Sequence, residues 1–174
     1  GTDTGTADAS NLKSSTTDTV TTTGADGTSN TNTNTSTASM DRRTGAMTGG
    51  TTNVDATTNA DGSSSSVTTS NTTTIRGSDI KVAGSSSVTV ADADGNSVTN
   101  TTTGSMEMRG GNATITGSDA DKVVSVGEDG SKTTTESKTD VMLGKDKFKV
   151  THSGAETVTD AEGNTTSNSS SVTV

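Results

Sequence analysis

Large apolar side chains are sparse along this chain, yet they return at a fixed interval. Five glycines that each follow an acid set the frame: Gly27, Gly62, Gly95, Gly130 and Gly163, spaced 35, 33, 35 and 33 residues apart. Thirteen residues past the first four stand Met40, Ile75, Met108 and Leu143, and twenty residues past stand Met47, Val82, Ile115 and Val150. The eighteenth position (Gly45, Ile80, Ala113, Phe148) is apolar but less strict. Self-similarity at a fixed period is the signature of a repeat architecture. The unit is about 34 residues, or a doubled unit of 68, with copies at 28–62, 63–95, 96–130 and 131–163. Residues 1–27 read as a degenerate or partial copy and 164–174 as the start of a further one, all within one continuous elongated domain. Met40, Met47, Ile75, Ile80, Val82, Met108, Ile115, Leu143, Phe148 and Val150 are the expected structural core, and the five glycines the expected turn anchors.

Between anchors the pattern has period two, as in "DIKV" and "SVTV", and no stretch holds a helical period. Acid-Gly between alternating segments signals a hairpin, because Gly accepts the positive φ such turns need. Three or four short strands are expected per unit. The predicted fold is all-β, a β-solenoid or an intertwined trimeric β-helix forming a rod. A row of sandwiches would need larger cores and wider repeats. Repeats bury apolar groups between neighbours, so each copy contributes few. Two or three such side chains at about 1.5–3 kcal/mol each do not offset the ordering of about 34 residues at about 1–2 kcal/mol each. Backbone pairing, Thr and Asn contacts, and association with further copies are therefore expected.

Composition sharpens this. A chain only 23% hydrophobic, with Phe148 as its one aromatic and a net charge of −9, would ordinarily be disordered. Against that, proline is absent and Thr, a strand former, abounds. The N-terminal third, with its run "TNTNTST", is the part expected to order least readily. There is no cysteine, hence no disulfide. The acidic balance argues against nucleic-acid binding, and no apolar run is long enough for membrane insertion as a helix. The first residue is Gly rather than Met, which reads as a processed or partial extracellular chain.

Candidate chemistry is thin. If each repeat were one coil, the anchor acids would stack about 4.8 Å apart and repel. The pairs Asp92/Asp94 and Asp160/Glu162 offer hard oxygens that Ca²⁺ could bridge, but solvated turn acids are the preferred reading, and no other cofactor is implied. His152 stands alone, no Gly-x-Ser-x-Gly elbow occurs, and Ser10-Asn11-Leu12-Lys13 is a chance Ser-x-x-Lys, so no enzyme is expected. Arg42, Arg76 and Arg109 are expected to line an exposed edge or pair with nearby acids, with a glycan or phosphate as the lesser reading. Thr-x-Thr pairs over 31–37 suit an ice-binding array only if they share a phase in every coil. The sequons at Asn34, Asn71, Asn100, Asn112, Asn164 and Asn168 carry little information in so Thr- and Ser-rich a chain.

The pieces "GGNATITG", "DGNSVTN", "EGNTTSN" and "LGKDKFKVTHSG" resemble the Gly-Asn/Asp-x-Thr-x-Thr/Val repeats of β-helical needles in phage spikes and type VI secretion spikes. The composition is also similar to phage tail-fibre shafts and bacterial surface fibres. That resemblance implies a rigid, self-associating shaft, trimeric, facing the cell envelope. The expected function is therefore structural: a spike, shaft or stalk of an extracellular or virion fibre, supporting attachment. It would pair with itself as a homo-oligomer and with other fibre or tail components. The rival expectations are a self-assembling, amyloid-like biofilm filament on a bacterial surface, and an ice- or glycan-binding solenoid.

Overall fold

The computed structural model describes residues 1–8, 10–111 and 114–174. They form one antiparallel sheet of eleven strands whose spatial order is the chain order. The strands are β1 (Thr2–Ala7), β2 (Asn11–Thr23), β3 (Ser29–Asp41) and β4 (Met47–Thr58). Then come β5 (Ser64–Arg76), β6 (Asp79–Ala91), β7 (Ser97–Arg109) and β8 (Thr114–Val126). The last are β9 (Lys132–Gly144), β10 (Lys147–Thr159) and β11 (Thr165–Thr173). The first strand does not pair with the last, so the sheet is open.

The all-β, repeat-built expectation holds, but the unit is built differently from the sequence-based picture. Each copy is one hairpin of two long strands, mostly 13 residues, rather than three or four short ones. The Gly-bearing positions inside the Thr/Ser runs do not all turn: Gly84 and Gly104 pair with one another inside β6 and β7. Nor does the chain wind into coils, because successive strands alternate direction. Polar residues of strand-favouring type let the ladder run on where apolar ones would have demanded a second layer.

Two rims of turns bound the sheet. On one rim the acid-Gly anchors each close a three-residue loop. At the second of them Asn59 N donates to Ser63 O at 2.9 Å and Gly62 N to Asn59 O at 3.1 Å. Gly62 sits at φ +90°, a conformation other residues resist. This is the type I turn with a following left-handed residue that suits a slightly longer hairpin loop. On the other rim the loops alternate between four and two residues. The loop at 42–45 is long, with Gly45 N donating to Asp41 O at 2.8 Å, and the loop at 77–78 is short. Four residues separate β7 from β8 and two separate β9 from β10, so the alternation repeats every two hairpins, a period of 68.

That alternation rearranges the apolar phases. Leu12, Met40, Met47, Ile75, Ile80, Met108, Ile115, Leu143 and Phe148 are register partners in succession, an unbroken row across nine strands. The row takes the twentieth position after a four-residue loop and the eighteenth after a two-residue loop. Val82 and Val150 therefore belong to a second row two residues inward, with Met106 and Val141. Ala113, the remaining eighteenth-position residue, lies outside the described residues.

None of these side chains is enclosed. Among the described residues no side chain is buried, and Met40, Leu143 and Phe148 are 40%, 49% and 64% exposed. The expected core is thus a surface spine in the single chain, because a single layer has no inside.

Candidate interaction faces of the sheet

Side chains alternate between faces along a strand, and register partners share a face. Applying this to all eleven strands sorts the chain into two surfaces of different chemistry.

The first, the apolar face, carries the spine row near the rim of alternating loops. Toward the acid-Gly rim it carries a second set of aliphatics, including Val67, Val88 and Val123. Between the two lie amides and acids. Asn53 Nδ2 donates to Asn34 Oδ1 at 2.8 Å and Asn34 Nδ2 to Asn32 Oδ1 at 3.0 Å, while Asn32 bonds Asp55. Thr102 Oγ1 donates to Asp121 Oδ1 at 2.7 Å. His152 is here too, its Nδ1 3.0 Å from Thr139 Oγ1.

The second, the hydroxyl face, is paved with Thr and Ser that pair across strands. Thr17 meets Thr35 at 3.2 Å, Thr19 meets Thr33 at 3.3 Å and Thr21 meets Thr31 at 3.1 Å. Ser70 meets Ser85 at 2.9 Å, Ser87 meets Thr101 at 3.1 Å and Thr89 meets Thr99 at 3.0 Å. The cations are segregated as well. Every Lys and Arg within a strand lies on this face, among them Lys13, Lys81, Lys122, Lys138 and Lys149. The apolar face holds strand acids, such as Asp18, Asp55, Asp119, Asp121 and Glu156, and no strand cation. Ion pairs sit on the hydroxyl face, among them Lys122 Nζ to Glu136 Oε1 at 2.6 Å and Lys138 Nζ to Asp140 Oδ2 at 2.8 Å. The Lys138 hydrogen bond, then that of Ser118, hold Asp140 below its usual range. Where short rows run between these longer side chains the surface dips, as over Thr101, Thr103, Ala120, Ser153 and Ala155.

The candidate metal acids are placed on the acid-Gly rim. Asp92 Oδ1 accepts from Asp94 N at 3.0 Å and Asn96 N at 2.9 Å, and its Oδ2 accepts from Asn96 Nδ2 at 2.7 Å. Asp160 does the same with Asn164. These carboxylates cap their own turns, and Asp94 and Glu162 remain exposed beside them. Among the described residues no group of three metal-binding side chains comes together. Because each unit is a hairpin, successive anchors sit two strands apart, about 9.6 Å rather than 4.8 Å. Twice the separation halves their repulsion.

The arginines divide. Arg76 and Arg109 both pair in register with Asp79, and Arg109 Nε lies 2.5 Å from Glu107 Oε1. Arg42 is in the adjacent long loop, its N donating to Ser10 O at 2.9 Å. Of the sequons, Asn112 lies outside the described residues.

Sequence reasoning passed over Leu12, Met106 and Val141, all members of the apolar rows. The signal for Leu12 was its place fifteen residues before Gly27, the offset at which Met47, Ile80, Ile115 and Phe148 precede their own glycines. The signal for Met106 was its two-residue offset from Met108.

Fold and faces together define a single-layer, repeat-built antiparallel sheet with chemically distinct sides. Comparison with protein-family models, with curated proteins and with solved structures finds no match.

Proposed function

We infer that this chain is a structural subunit of an extracellular or virion fibre, a spike, shaft or stalk that supports attachment. The observation that carries the reading is the unbroken backbone ladder over eleven strands, ending in two unpaired edges. A stiff body made of hydrogen-bonded backbone needs little apolar content, which suits this composition. One chain is about 44 Å along its strands and about 48 Å across them. Elongation in this reading comes from adding copies, and self-association replaces the coil of a solenoid or the winding of a three-chain helix. The reading assigns no catalytic step and no resident cofactor.

The amyloid-like surface filament is favoured by one specific observation. β11 (TTSNSSSVT) has no charge and no proline, so its edge lacks the usual guards against strand addition. Multi-angle light scattering with negative-stain electron microscopy separates the cases. A discrete mass with short rods supports the spike or shaft. Lengths that grow with concentration support the filament. A monomer without β circular dichroism defeats both. Thermal hysteresis in the same samples would point instead to ice binding by the hydroxyl face.

A further inference from the structure

The spine row leaves nine large or medium apolar side chains in line on one side of a sheet that has no second layer. Monomeric soluble proteins rarely leave so long an apolar strip uncovered. We propose that the apolar face is an interface with a second copy of this chain, the two sheets packed face to face about a two-fold axis that runs along β6. This goes beyond the fibre reading, which concerns growth at the strand edges, and does not depend on it.

Three observations select a second copy. The first is self-complementarity. An axis along the central strand maps the spine of one copy onto that of the other, because it keeps position along the strand and reverses strand order. Leu12 then faces Phe148, Met40 faces Leu143 and Met47 faces Ile115, with the two Ile80 side chains at the centre. Aligned sheets pack in this way about 10 Å apart, interdigitating such side chains.

The second is charge. The same operation places β4 opposite β8 and β2 opposite β10. Asp119 and Asp121 then face Thr51 and Asn53, Asp55 faces Val123, Asp3 faces Val172, Asp18 faces Gly154 and Glu156 faces Val20, so no strand acid stands directly opposite another. A lipid surface is a poorer occupant, since the amides and acids between the two apolar sets would enter acyl chains with no polar partner, whereas a second copy sets Thr51 and Asn53 opposite Asp119 and Asp121. The third is area. A face of about 44 by 48 Å exceeds the roughly 800 Å² per partner of a stable interface.

The chain has no cysteine, so single thiols report position cleanly. Ser86 and Ser85 are neighbours on β6 that point to opposite faces, Ser86 to the apolar one. The full chain carrying Ser86→Cys or Ser85→Cys is labelled with pyrene maleimide. Excimer emission is expected for Ser86→Cys and absent for Ser85→Cys, with light scattering giving twice the chain mass. Ile80→Lys in the Ser86→Cys background should abolish the excimer. If it also unfolds the sheet, the milder Ser86→Lys, read by mass alone, gives the same test. Excimer from Ser85→Cys, or from neither, overturns the proposal. So does binding of the pyrene-labelled Ser86→Cys chain to phosphatidylcholine/phosphatidylglycerol vesicles with monomer emission alone. Filaments without a Ser86 excimer would leave the fibre reading standing and remove this one. An excimer in short dimers that never elongate would do the reverse.

Discussion

At the scale of single residues, the acid-Gly turns carry the most local information. Gly62 must hold φ +90°, so Gly62→Ala should lower stability by about 1–2 kcal/mol, read as a reduced urea midpoint with an unchanged far-UV spectrum. The turn aspartates give the sheet an acid limit. Hydrogen bonds from Thr28, Ser63, Asn96, Ser131 and Asn164 hold Asp26, Asp61, Asp92, Asp129 and Asp160 below the ordinary 3.8. A carboxyl depressed on folding contributes its full stabilisation above its unfolded pKa and loses it as pH falls through the folded one. From these groups the melting temperature should be flat between pH 7 and 5 and fall below about pH 4. In Asp61→Asn/Asp129→Asn the fall should be shallower, as differential scanning calorimetry would record. These turns were legible in the sequence because the bonds that close each three-residue loop are local. The bonding of Asp92 and Asp160 to the Asn four residues on was missed, since only the closed turn brings the two together.

At the scale of elements, strand length was misjudged for a physical reason. Alternation is usually sought between apolar and polar residues, and in β3 both members are polar. "TNTNT" sends Asn32 and Asn34 to one face and Thr31, Thr33 and Thr35 to the other. The hydroxyl and amide ladders they join are cross-strand contacts and leave no trace in a single strand. The loops on the second rim show the same dependence on pairing. Replacing Arg42–Gly45 by Gly-Ser gives the loop length of 77–78, so Met40 should still meet Met47. The variant is expected to keep its far-UV spectrum and to melt within a few degrees of the parent. Inserting one Thr after Thr52 is the contrasting change. It sends the rest of β4 to the wrong face, and the melting transition should broaden or disappear.

At the scale of the whole molecule, growth and layering are separate properties with separate handles. Ser167→Lys/Ser169→Lys places two charges on the open edge of β11, a device that blocks strand addition. In electron micrographs this variant should lose elongated particles while circular dichroism still reports the sheet. Salt should act differently on the two contacts. Spine packing is apolar and should strengthen in ammonium sulfate, whereas the exposed pairs Lys122–Glu136 and Lys138–Asp140 are screened and contribute little in any buffer.

The sequence by itself determined the period, the turn anchors, the all-β class and the identity of most spine residues. These follow from spacing and from conformational preferences that act within a few residues. Only the tertiary structure decided that each unit is a hairpin, that the alternating loops merge two apolar phases into one row, and that the strand cations all fall on one face. Those outcomes depend on which residue stands opposite which across neighbouring strands, and register is a relation between segments that neither segment holds alone.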